Sequence, residues 1–288
     1  MTDQIGTDRR LTPATARVAH VSLRGLIDAP VWTEGEPGEI AVPLTDLRST
    51  PGGARDRQLI LGDAFLVIDR HEGQAFGMAL KDGYCGWVVE RALCSPTKVT
   101  HFVAVMGSHL YPEPRVQAEA TGSLTLGTRL RVTGQHAAFA ETPHGFVPVA
   151  HLRRLGDWHG DPADVAGLFL GVPYLWGGNS RDGLDCSGLV QAAMLACGRA
   201  CPGDSDLQQG VGDPLDGTEP LQRGDLVFWR GHVALMLDAA TLIHANGHHM
   251  VVVAESLPEV AARIEDGGGG PVVALRRPSR GNVVATNS

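Results

Sequence analysis

The chain has 288 residues, a formal net charge of −8 at pH 7 and no block of Lys and Arg. This charge balance disfavours a nucleic-acid partner or an anionic membrane surface. Hydrophobic residues make up 43% of the chain and charged residues 19%, as is typical of globular domains. The length is sufficient for about two domains with buried cores.

The N-terminal sequence lacks the apolar segment that a secretory signal requires, and no later run reaches the ~18 apolar residues of a membrane span. Five cysteines are an odd number for a framework of disulfides and fit a reducing compartment. We therefore expect a cytoplasmic protein without a membrane partner. Cys197 and Cys201 have no second ligand pair at zinc spacing, so we expect no metal and no other cofactor.

Two patterns occur twice in the N-terminal half. LGDAFLV (61–67) and LGTRLRV (126–132) share Leu-Gly, a later apolar residue and a final Val. Downstream, GWVVERAL (86–93) and GFVPVAHL (145–152) share Gly, an aromatic residue, Val and a Leu at the eighth position. Each copy predicts a strand, a loop and a second strand. We therefore expect two small β-barrels, over residues 15–95 and 96–156, with chance matching of glycine-rich strands as the alternative.

Residues 157–288 predict a domain of mixed helices and strands. Asp161-Pro162 indicates a helix over DVAGLFLG (164–171), and apolar residues after Cys186 indicate a second helix that ends at Gly198. The later strands predicted are DLVFW (225–229), HVALML (232–237), TLIHA (241–245), VVVAE (251–255) and, after a GGGG loop, PVVAL (271–275). The tail from Arg277 onward is expected to be loose.

Cys186 stands at the start of the second predicted helix, between Asp185 and Ser187. A helix N-terminus stabilises a thiolate through its dipole and its free amides, but the adjacent carboxylate opposes this effect. The thiol therefore needs an imidazolium neighbour, and a further group must orient that imidazole.

His232 and His244 lie on two successive predicted strands. Direct opposition of the two would centre the hairpin on Asp238, and their even separation allows both side chains to share a face. A lone histidine is more often a packed or exposed residue without chemistry. Two histidines downstream of a cysteine at a helix start instead predict a nucleophile, a base and an orienting residue.

Three segments together resemble the NlpC-type papain-like cysteine peptidases of bacterial cell-wall metabolism. They are PYLWGGNSRDGLDCSGLVQ, GDLVFWRGHVALML and LIHANG, in that order, and the resemblance covers about residues 157–280. The N-terminal repeats resemble bacterial SH3-like domains, and the whole resembles the branch that cleaves γ-D-glutamyl-L-diamino acid peptides, including dipeptidyl-peptidase VI. The fold class implied is α+β: two SH3-like β-barrels, then a papain-like domain whose cysteine helix packs on an antiparallel sheet.

The resemblance also implies roles for individual residues. Cys186 would be the nucleophile, His232 the general base and acid, and His244 its orienting partner. Five further residues would contact the substrate: Tyr174 beside the oxyanion site, Asp185 and Ser187 along the groove, and Asp204 and Ser205 at the amino end of the peptide. A core aromatic residue, for Tyr174, and simple loop residues, for Asp204 and Ser205, are the alternatives.

The first SH3-like domain would add an acidic residue and a tyrosine that bind a free amine of the substrate. Tyr84 lies in DGYCGW, which fits the family's motif. At the acidic position, where the family usually has glutamate, RDRQLILG places Asp56. The shorter side chain departs from the pattern, and an ordinary surface acid is the alternative reading of this residue.

The resemblance implies a cysteine endopeptidase that hydrolyses the γ-D-Glu–diamino acid bond of short murein peptides. The substrate expected is a recycled tripeptide or tetrapeptide with a free N-terminal L-Ala. A non-catalytic wall-binding protein and a thiol-dependent acyl or amide transferase are the alternatives. The intact Cys-His-His set argues against the first of these, whereas only the acceptor distinguishes the second.

Overall fold

The computed structural model describes residues 8–279. They divide into two compact units: unit 1 contains residues 8–103 and 108–152, and unit 2 contains residues 104–107 and 153–279. The division after residue 152 lies shortly before the predicted start of the third domain at residue 157. Most of the predicted loose tail, residues 280–288, lies outside the described residues. Within residues 8–279, the structure has no helix with the length and apolar character needed to cross a membrane.

Residues 8–154 form strands joined by turns and short 3-10 helices. The strands are β1 (Val18–His20), β2 (Val31–Thr33), β3 (Glu36–Ile40), β4 (Leu44–Arg48), β5 (Arg55–Ile60), β6 (Ala64–His71), β7 (Gln74–Ala79), β8 (Cys85–Val89), β9 (Leu93–Cys94), β10 (His101–Val103), β11 (Gly107–Leu110), β12 (Gly122–Thr125), β13 (Arg129–Leu130), β14 (Gly134–His136), β15 (Phe139–Thr142), β16 (Gly145–Pro148) and β17 (Leu152–Arg154).

The first predicted SH3-like segment forms a seven-stranded antiparallel sheet in the order β5-β4-β8-β7-β6-β3-β9. Alternating residues of these strands, including Ile40, Leu47, Phe65 and Val88, form its buried core. The second segment forms smaller sheets, in the orders β13-β10-β17, β11-β12 and β14-β15-β16.

The two predicted repeats share two local features. Gly62 and Gly127 both adopt left-handed conformations, with φ of 83° and 86°, and each follows a buried leucine. Glycine suits these turns because a side chain strains this conformation. Further along, β8 and β16 are each followed by a 3-10 helix and a short strand, β9 and β17 respectively. The sheets of the two segments differ, so the division into two SH3-like domains stays a prediction.

Unit 2 contains the helices and the second large sheet. Its elements from residue 162 are α1 (Pro162–Gly167), β18 (Asn179–Ser180), β19 (Gly183–Leu184), α2 (Cys186–Ala196), α3 (Ser205–Gln208), β20 (Asp213–Pro214), β21 (Leu226–Trp229), β22 (His232–Met236), β23 (Thr241–Asn246), β24 (Val251–Ser256), α4 (Leu257–Asp266) and β25 (Ala274–Arg277). The sheet order is β20-β25-β21-β22-β23-β24, with antiparallel pairs throughout. Helix α2 packs against β22 and β23, which confirms the predicted α+β arrangement.

Two predicted elements differ from the observed ones. The first helix is capped as expected, since Asp161 accepts a 2.8 Å hydrogen bond from the Ala163 amide, but it ends at Gly167 and not at Gly171. Bonds from residues 168–170 to the third preceding carbonyl tighten the chain into turns there. The last strand begins at Ala274, later than PVVAL indicates.

Helix α4 was not among the predicted elements. Its residue Val260 is fully buried and packs with Ala234, Met236 and Leu242, so α4 covers one face of the central strands.

Candidate active site

The start of α2 is held by Asp185, which is its N-cap. One carboxylate oxygen, Oδ1, accepts hydrogen bonds from the Gly188 amide at 2.6 Å and from the Ser187 hydroxyl at 3.0 Å. The other, Oδ2, accepts a 2.9 Å bond from the Gly177 amide. Because three donors share the charge of this carboxylate, Asp185 opposes a nearby anion less than its position in the sequence suggests.

Cys186 is the first residue of α2 and is 8% exposed. Its position places the thiol at the positive end of the helix dipole, as predicted. Asp185 and Ser187 are also buried, at 8% and 4% exposure, and bond to each other. Their predicted place along a substrate groove stays a prediction, whereas their part in shaping the helix start is observed.

Tyr174 lies in the loop that precedes the cysteine helix. Its backbone forms a bridge to Leu184, and its amide donates a 2.9 Å bond to the carbonyl of Met250. Burial raises the pKa of the Tyr174 phenol to about 12, and the neighbouring charges of Cys186 and Asp185 add to this shift. The phenol is therefore a neutral hydrogen-bond donor near the cysteine at physiological pH, as the predicted oxyanion role requires.

His232 and His244 are in direct contact. Nε2 of His232 lies 2.8 Å from Nδ1 of His244, and His244 is 1% exposed. The hairpin pairs Leu235 with Ile243, so it centres on residue 239 and not on the predicted Asp238. The two histidines consequently lie diagonally across the strands. Their even separation still places both side chains on one face, as the sequence predicts.

Both histidines are held in the neutral form. Burial, together with the charges of His244 and Arg263, lowers the pKa of His232 to about 3. Burial also lowers the pKa of His244, although Glu255 partly opposes that shift. From the sequence we expected an imidazolium beside the thiol. The structure instead presents a neutral imidazole, which fits a base that receives the thiol proton during the reaction.

A carboxylate, absent from the predicted site, completes this chain of contacts. Oε2 of Glu255, on β24, lies 2.7 Å from Nε2 of His244. Both Glu255 oxygens accept bonds from the Arg263 guanidinium on α4, at 2.8 and 2.9 Å. Burial alone would raise the pKa of Glu255, but the bonds from Arg263, His244 and His249 outweigh it and lower this pKa to about 2. Glu255 is therefore ionised.

Signals for Glu255 and Arg263 were present in the sequence. Glu255 is a carboxylate at the end of an otherwise apolar strand, VVVAE. Leu257, Val260, Ala261 and Ile264 have helical spacing, Pro258 follows the start, and Gly267 follows the end. The pairing of Glu255 with Leu242 also depends on the register of β23 and β24, which the sequence did not fix.

The segment that carries Asp204 and Ser205 is tied to α2 by two buried glutamines. Nε2 of Gln208 donates to the carbonyls of Ser187 and Pro202, both at 2.9 Å, and Gln208 is fully buried. Nε2 of Gln191 donates to the carbonyl of Cys201 at 3.1 Å. Asp204 is the N-cap residue of α3 and Ser205 its first residue. The structure thus connects this segment to the cysteine helix, while its contact with substrate stays a prediction.

The two predicted amine-binding residues lie in unit 1. Tyr84 is 3% exposed and packs in the core of the seven-stranded sheet. The Asp56 carboxylate accepts bonds from both terminal nitrogens of Arg9, at 2.6 and 2.9 Å. Asp56 is therefore not an unoccupied surface acid: an amine that bound it would compete with a guanidinium. Its assignment to the substrate stays a prediction.

Residues 8–279 contain no cluster of three or more His, Cys, Asp and Glu side chains arranged to hold a metal ion. None of the five cysteines, all of which lie within these residues, forms a disulfide.

A cysteine at the start of a helix that packs on a histidine-bearing antiparallel sheet defines the class of papain-like cysteine peptidases. Within that class, residues 171–262 match the NlpC/P60 family, and residues 47–93 match the bacterial dipeptidyl-peptidase SH3 domain. The chain therefore contains an NlpC/P60 domain and, before it, a bacterial SH3 domain.

Curated relatives agree with this assignment. The chain is 38% identical to dipeptidyl-peptidase 6 of Lysinibacillus sphaericus, in a match covering 27% of this chain and 29% of the relative. It is 35% identical to the γ-D-glutamyl-L-lysine dipeptidyl-peptidase of Bacillus subtilis, over 34% of this chain and 35% of the relative. The matches thus span about a third of each relative's length.

The fold is similar to that of an NlpC/P60 family protein from Bacillus cereus whose crystal structure is known. The TM-score is 0.71 at 21% identity, and the match covers 84% of this chain and 99% of the other. At this identity the similarity concerns the fold.

Proposed function

We propose that this protein is a cysteine endopeptidase that hydrolyses the γ-D-glutamyl–diamino acid bond of short murein peptides with a free N-terminal L-Ala. The observation that carries the proposal is the placement of Cys186 at the start of a helix packed on the strands that hold the linked His232–His244 pair. The similarity to γ-D-glutamyl-L-lysine dipeptidyl-peptidases supports a γ-D-glutamyl peptide as the substrate class.

In the proposed reaction, a nitrogen of neutral His232 accepts the proton of the Cys186 thiol. Because Nε2 of His232 contacts His244, the nitrogen available to the thiol is Nδ1. The thiolate attacks the γ-carbonyl carbon of D-Glu, and the carbonyl oxygen gains the negative charge. The Tyr174 phenol and the Cys186 amide donate to that oxygen; loss of one such donor typically costs ~10²–10³-fold in rate.

The tetrahedral intermediate then collapses with cleavage of the C–N bond. The His232 imidazolium returns its proton to the departing amine of the diamino acid, and a thioester remains on Cys186. His232 next takes a proton from water, the hydroxide attacks the thioester, and the thiol is regenerated with release of the L-Ala-γ-D-Glu acid. A transferase would share the first half of this cycle and use an acceptor other than water.

At the amino end of the peptide, we propose that an acidic side chain, Asp204 in unit 2 or Asp56 with Tyr84 in unit 1, holds the ammonium group of L-Ala. A charge-assisted hydrogen bond contributes ~1.5–3 kcal/mol, and each ~1.4 kcal/mol is a tenfold change in rate or affinity. Free tripeptide should therefore be cleaved roughly 10- to 100-fold faster than its N-acetylated form. Intact sacculi, in which this alanine is amide-linked, should be nearly inert.

The test compares free L-Ala-γ-D-Glu-diaminopimelate, its N-acetyl form and purified sacculi, with products identified by mass spectrometry. Release of diaminopimelate from the free tripeptide supports the proposal. If acetylated peptide or sacculi were cleaved as fast as free tripeptide, the protein would be a wall hydrolase whose substrate groove is open at the end that binds the peptide's N-terminus. Transfer to an added amine in preference to water would show a transferase, and absence of any cleavage would favour a binding protein.

We also propose that the protein acts in the cytoplasm on recycled peptides. Five free cysteines fit a reducing compartment. Fractionation of cells followed by immunodetection tests this location, and recovery of the protein from the wall fraction would contradict it.

A further inference from the structure

The Glu255 carboxylate is held rigidly between a sheet and a helix. Arg263 binds both of its oxygens in a bidentate pair, and this fixes the plane of the carboxylate. The Glu255 side chain is 15% exposed and that of Arg263 28%, so solvent competes little for the pair. In the strand register, Glu255 lies opposite Leu242 and diagonally across from His244. Its Oε2 therefore reaches Nε2 of the His244 imidazole.

Two groups approach Nε2 of His244, and only one of them can bond to it as an acceptor. Oε2 of Glu255 is 2.7 Å away, and Nδ2 of Asn246 is 2.8 Å away. The amide orientation of Asn246 is fixed, because its Oδ1 accepts a 2.8 Å bond from the His249 amide. The ionised carboxylate is the stronger partner, so Nε2 of His244 carries a hydrogen and donates it to Glu255. The Asn246 amide hydrogens then point toward the same oxygen, at 3.4 Å.

This assignment determines the protonation of the next ring. With its hydrogen on Nε2, neutral His244 has an unprotonated Nδ1 that can only accept. The 2.8 Å contact to His232 then requires that Nε2 of His232 be the donor. Neutral His232 is thereby left with an unprotonated Nδ1, the form able to accept a thiol proton.

From this geometry we propose that Glu255, clamped by Arg263, is a positioning residue that fixes the tautomer of His244 and, through it, the tautomer of His232. Its kinetic consequence rests on the proposed peptidase function, but the tautomers themselves do not. Glu255 touches neither the cysteine nor substrate in this proposal. It bonds to the His244 ring, which in turn bonds to the His232 ring.

The sharpest variant is Glu255→Met, which removes both carboxylate oxygens and keeps a side chain of similar length. Nε2 of His244 then faces the Asn246 amide hydrogens, at 2.8 Å, without a competing acceptor. This nitrogen must accept, Nδ1 of His244 becomes the donor, and the hydrogen of His232 moves to Nδ1. The ring that should accept the thiol proton would present a hydrogen instead.

The first measurement is the histidine tautomers of the full chain, by long-range ¹H–¹⁵N NMR of the imidazole nitrogens near neutral pH. Signals are assigned with His232→Gln and His244→Gln variants. The wild type is expected to carry its hydrogen on Nε2 of both rings, and Glu255→Met on Nδ1 of both. A wild-type His244 protonated on Nδ1 would refute the proposal even if the variant fails to fold.

The second measurement is steady-state kinetics on free tripeptide. For Glu255→Met we expect kcat to fall by ~10²-fold or more, with KM little changed, because a wrong histidine tautomer impairs the base but not binding. Glu255→Asp keeps a carboxylate and should recover part of kcat. Glu259→Met makes the same chemical change at an exposed position of α4 and should behave like wild type.

The outcomes separate this inference from the proposed function. If the wild type cleaves no γ-D-glutamyl peptide but shows the expected tautomers, the function is wrong and the positioning role stands. If the wild type is active and folded Glu255→Met keeps wild-type tautomers, the positioning role is wrong, whatever its kcat. A fall in kcat that only follows a fall in the folded fraction would likewise assign Glu255 a structural role alone.

Discussion

Gly188, in the first turn of α2, lies against the carbonyl oxygen of Gly178, in the loop before the cysteine. A Cβ at residue 188 would collide with that oxygen, and the obstacle is backbone, which cannot rotate away. We expect Gly188→Ala to lower the free energy of unfolding by ~1–3 kcal/mol, since overpacking forces backbone shifts, and to displace the Cys186 thiol.

Chemical denaturation and kcat of Gly188→Ala would be compared with those of Gly160→Ala. Gly160 is in the same unit and has no heavy atom within 4 Å of an added Cβ. Equal stability of the two variants would contradict the close approach of the loop to α2.

Cys186 should be the reactive thiol of this chain. Burial raises the pKa of Cys85 to about 12 and that of Cys197 to about 11, and it also raises the pKa of Cys94. Only Cys186 combines a helix start with packing on the histidine strands. Iodoacetamide near neutral pH should therefore label Cys186 first and abolish activity, as measured by peptide mapping and residual hydrolysis. Comparable loss of activity in a folded Cys197→Ala variant would speak against this assignment.

The two histidines should differ in their tolerance of substitution. His244 needs only to accept a hydrogen bond from Nε2 of His232, which the carbonyl of Asn can do. We expect His244→Asn to retain a measurable kcat and His232→Asn to lose nearly all activity. Complete loss in both variants, with both folded, would mean that His244 does more than orient its neighbour.

Acid should destabilise the protein partly through His232. The unfolded chain takes up a proton at this residue below its ordinary pKa of 6.5, whereas the native imidazole does so only near pH 3. Stability contributed by neutral His232 is thus present above about pH 6.5 and is lost as pH falls toward about 3. Glu255, whose ordinary pKa is 4.5, adds to this loss only at lower pH.

The corresponding measurement is the thermal midpoint Tm between about pH 7 and about pH 4.5. Tm should fall less steeply in His232→Asn than in the wild type. Parallel slopes would show that His232 is protonated freely in the native state.

Arg9 should compete with a substrate amine for Asp56. An ion pair with a half-exposed arginine is worth ~0.2–1 kcal/mol. Arg9→Ala should therefore lower KM for free tripeptide by up to roughly fivefold and leave KM for the N-acetylated peptide unchanged. Arg10→Ala, which removes the neighbouring pair with Asp8, serves as the control. An unchanged or higher KM in Arg9→Ala would remove Asp56 from the proposed amine site.

The sequence predicted what depends on local pattern. The repeated Leu-Gly turns need a left-handed residue, so Gly62 and Gly127 could be recognised from the residues alone. The start of α2 at Cys186 and its end near Gly198 also follow from local capping and are observed. The fold class and the placement of His232 and His244 on one face of the sheet were also predictable.

Contacts between distant segments were not predictable in the same way. His232 and His244 lie diagonally because the hairpin centres on residue 239 and not on Asp238. The alternation of buried and exposed residues along the strands does not reveal this one-residue shift. The role of Glu255 depends on a register with β23 and on an arginine eight residues later in a helix. The ion pair of Asp56 was not predicted, because its partner, Arg9, lies 47 positions earlier in the chain.

The position of β25 has a consequence for how the protein is made. This strand is the last of its sheet along the chain, yet it lies between β20 and β21, where Leu226 pairs with Arg276 and Phe228 with Ala274. During translation, β21 to β24 emerge first and expose an unpaired edge along β21. The ribosome must release residues 274–277 before that edge is covered. Until then, the nascent domain is open to intermolecular strand pairing, so binding of a chaperone at this stage would protect its yield.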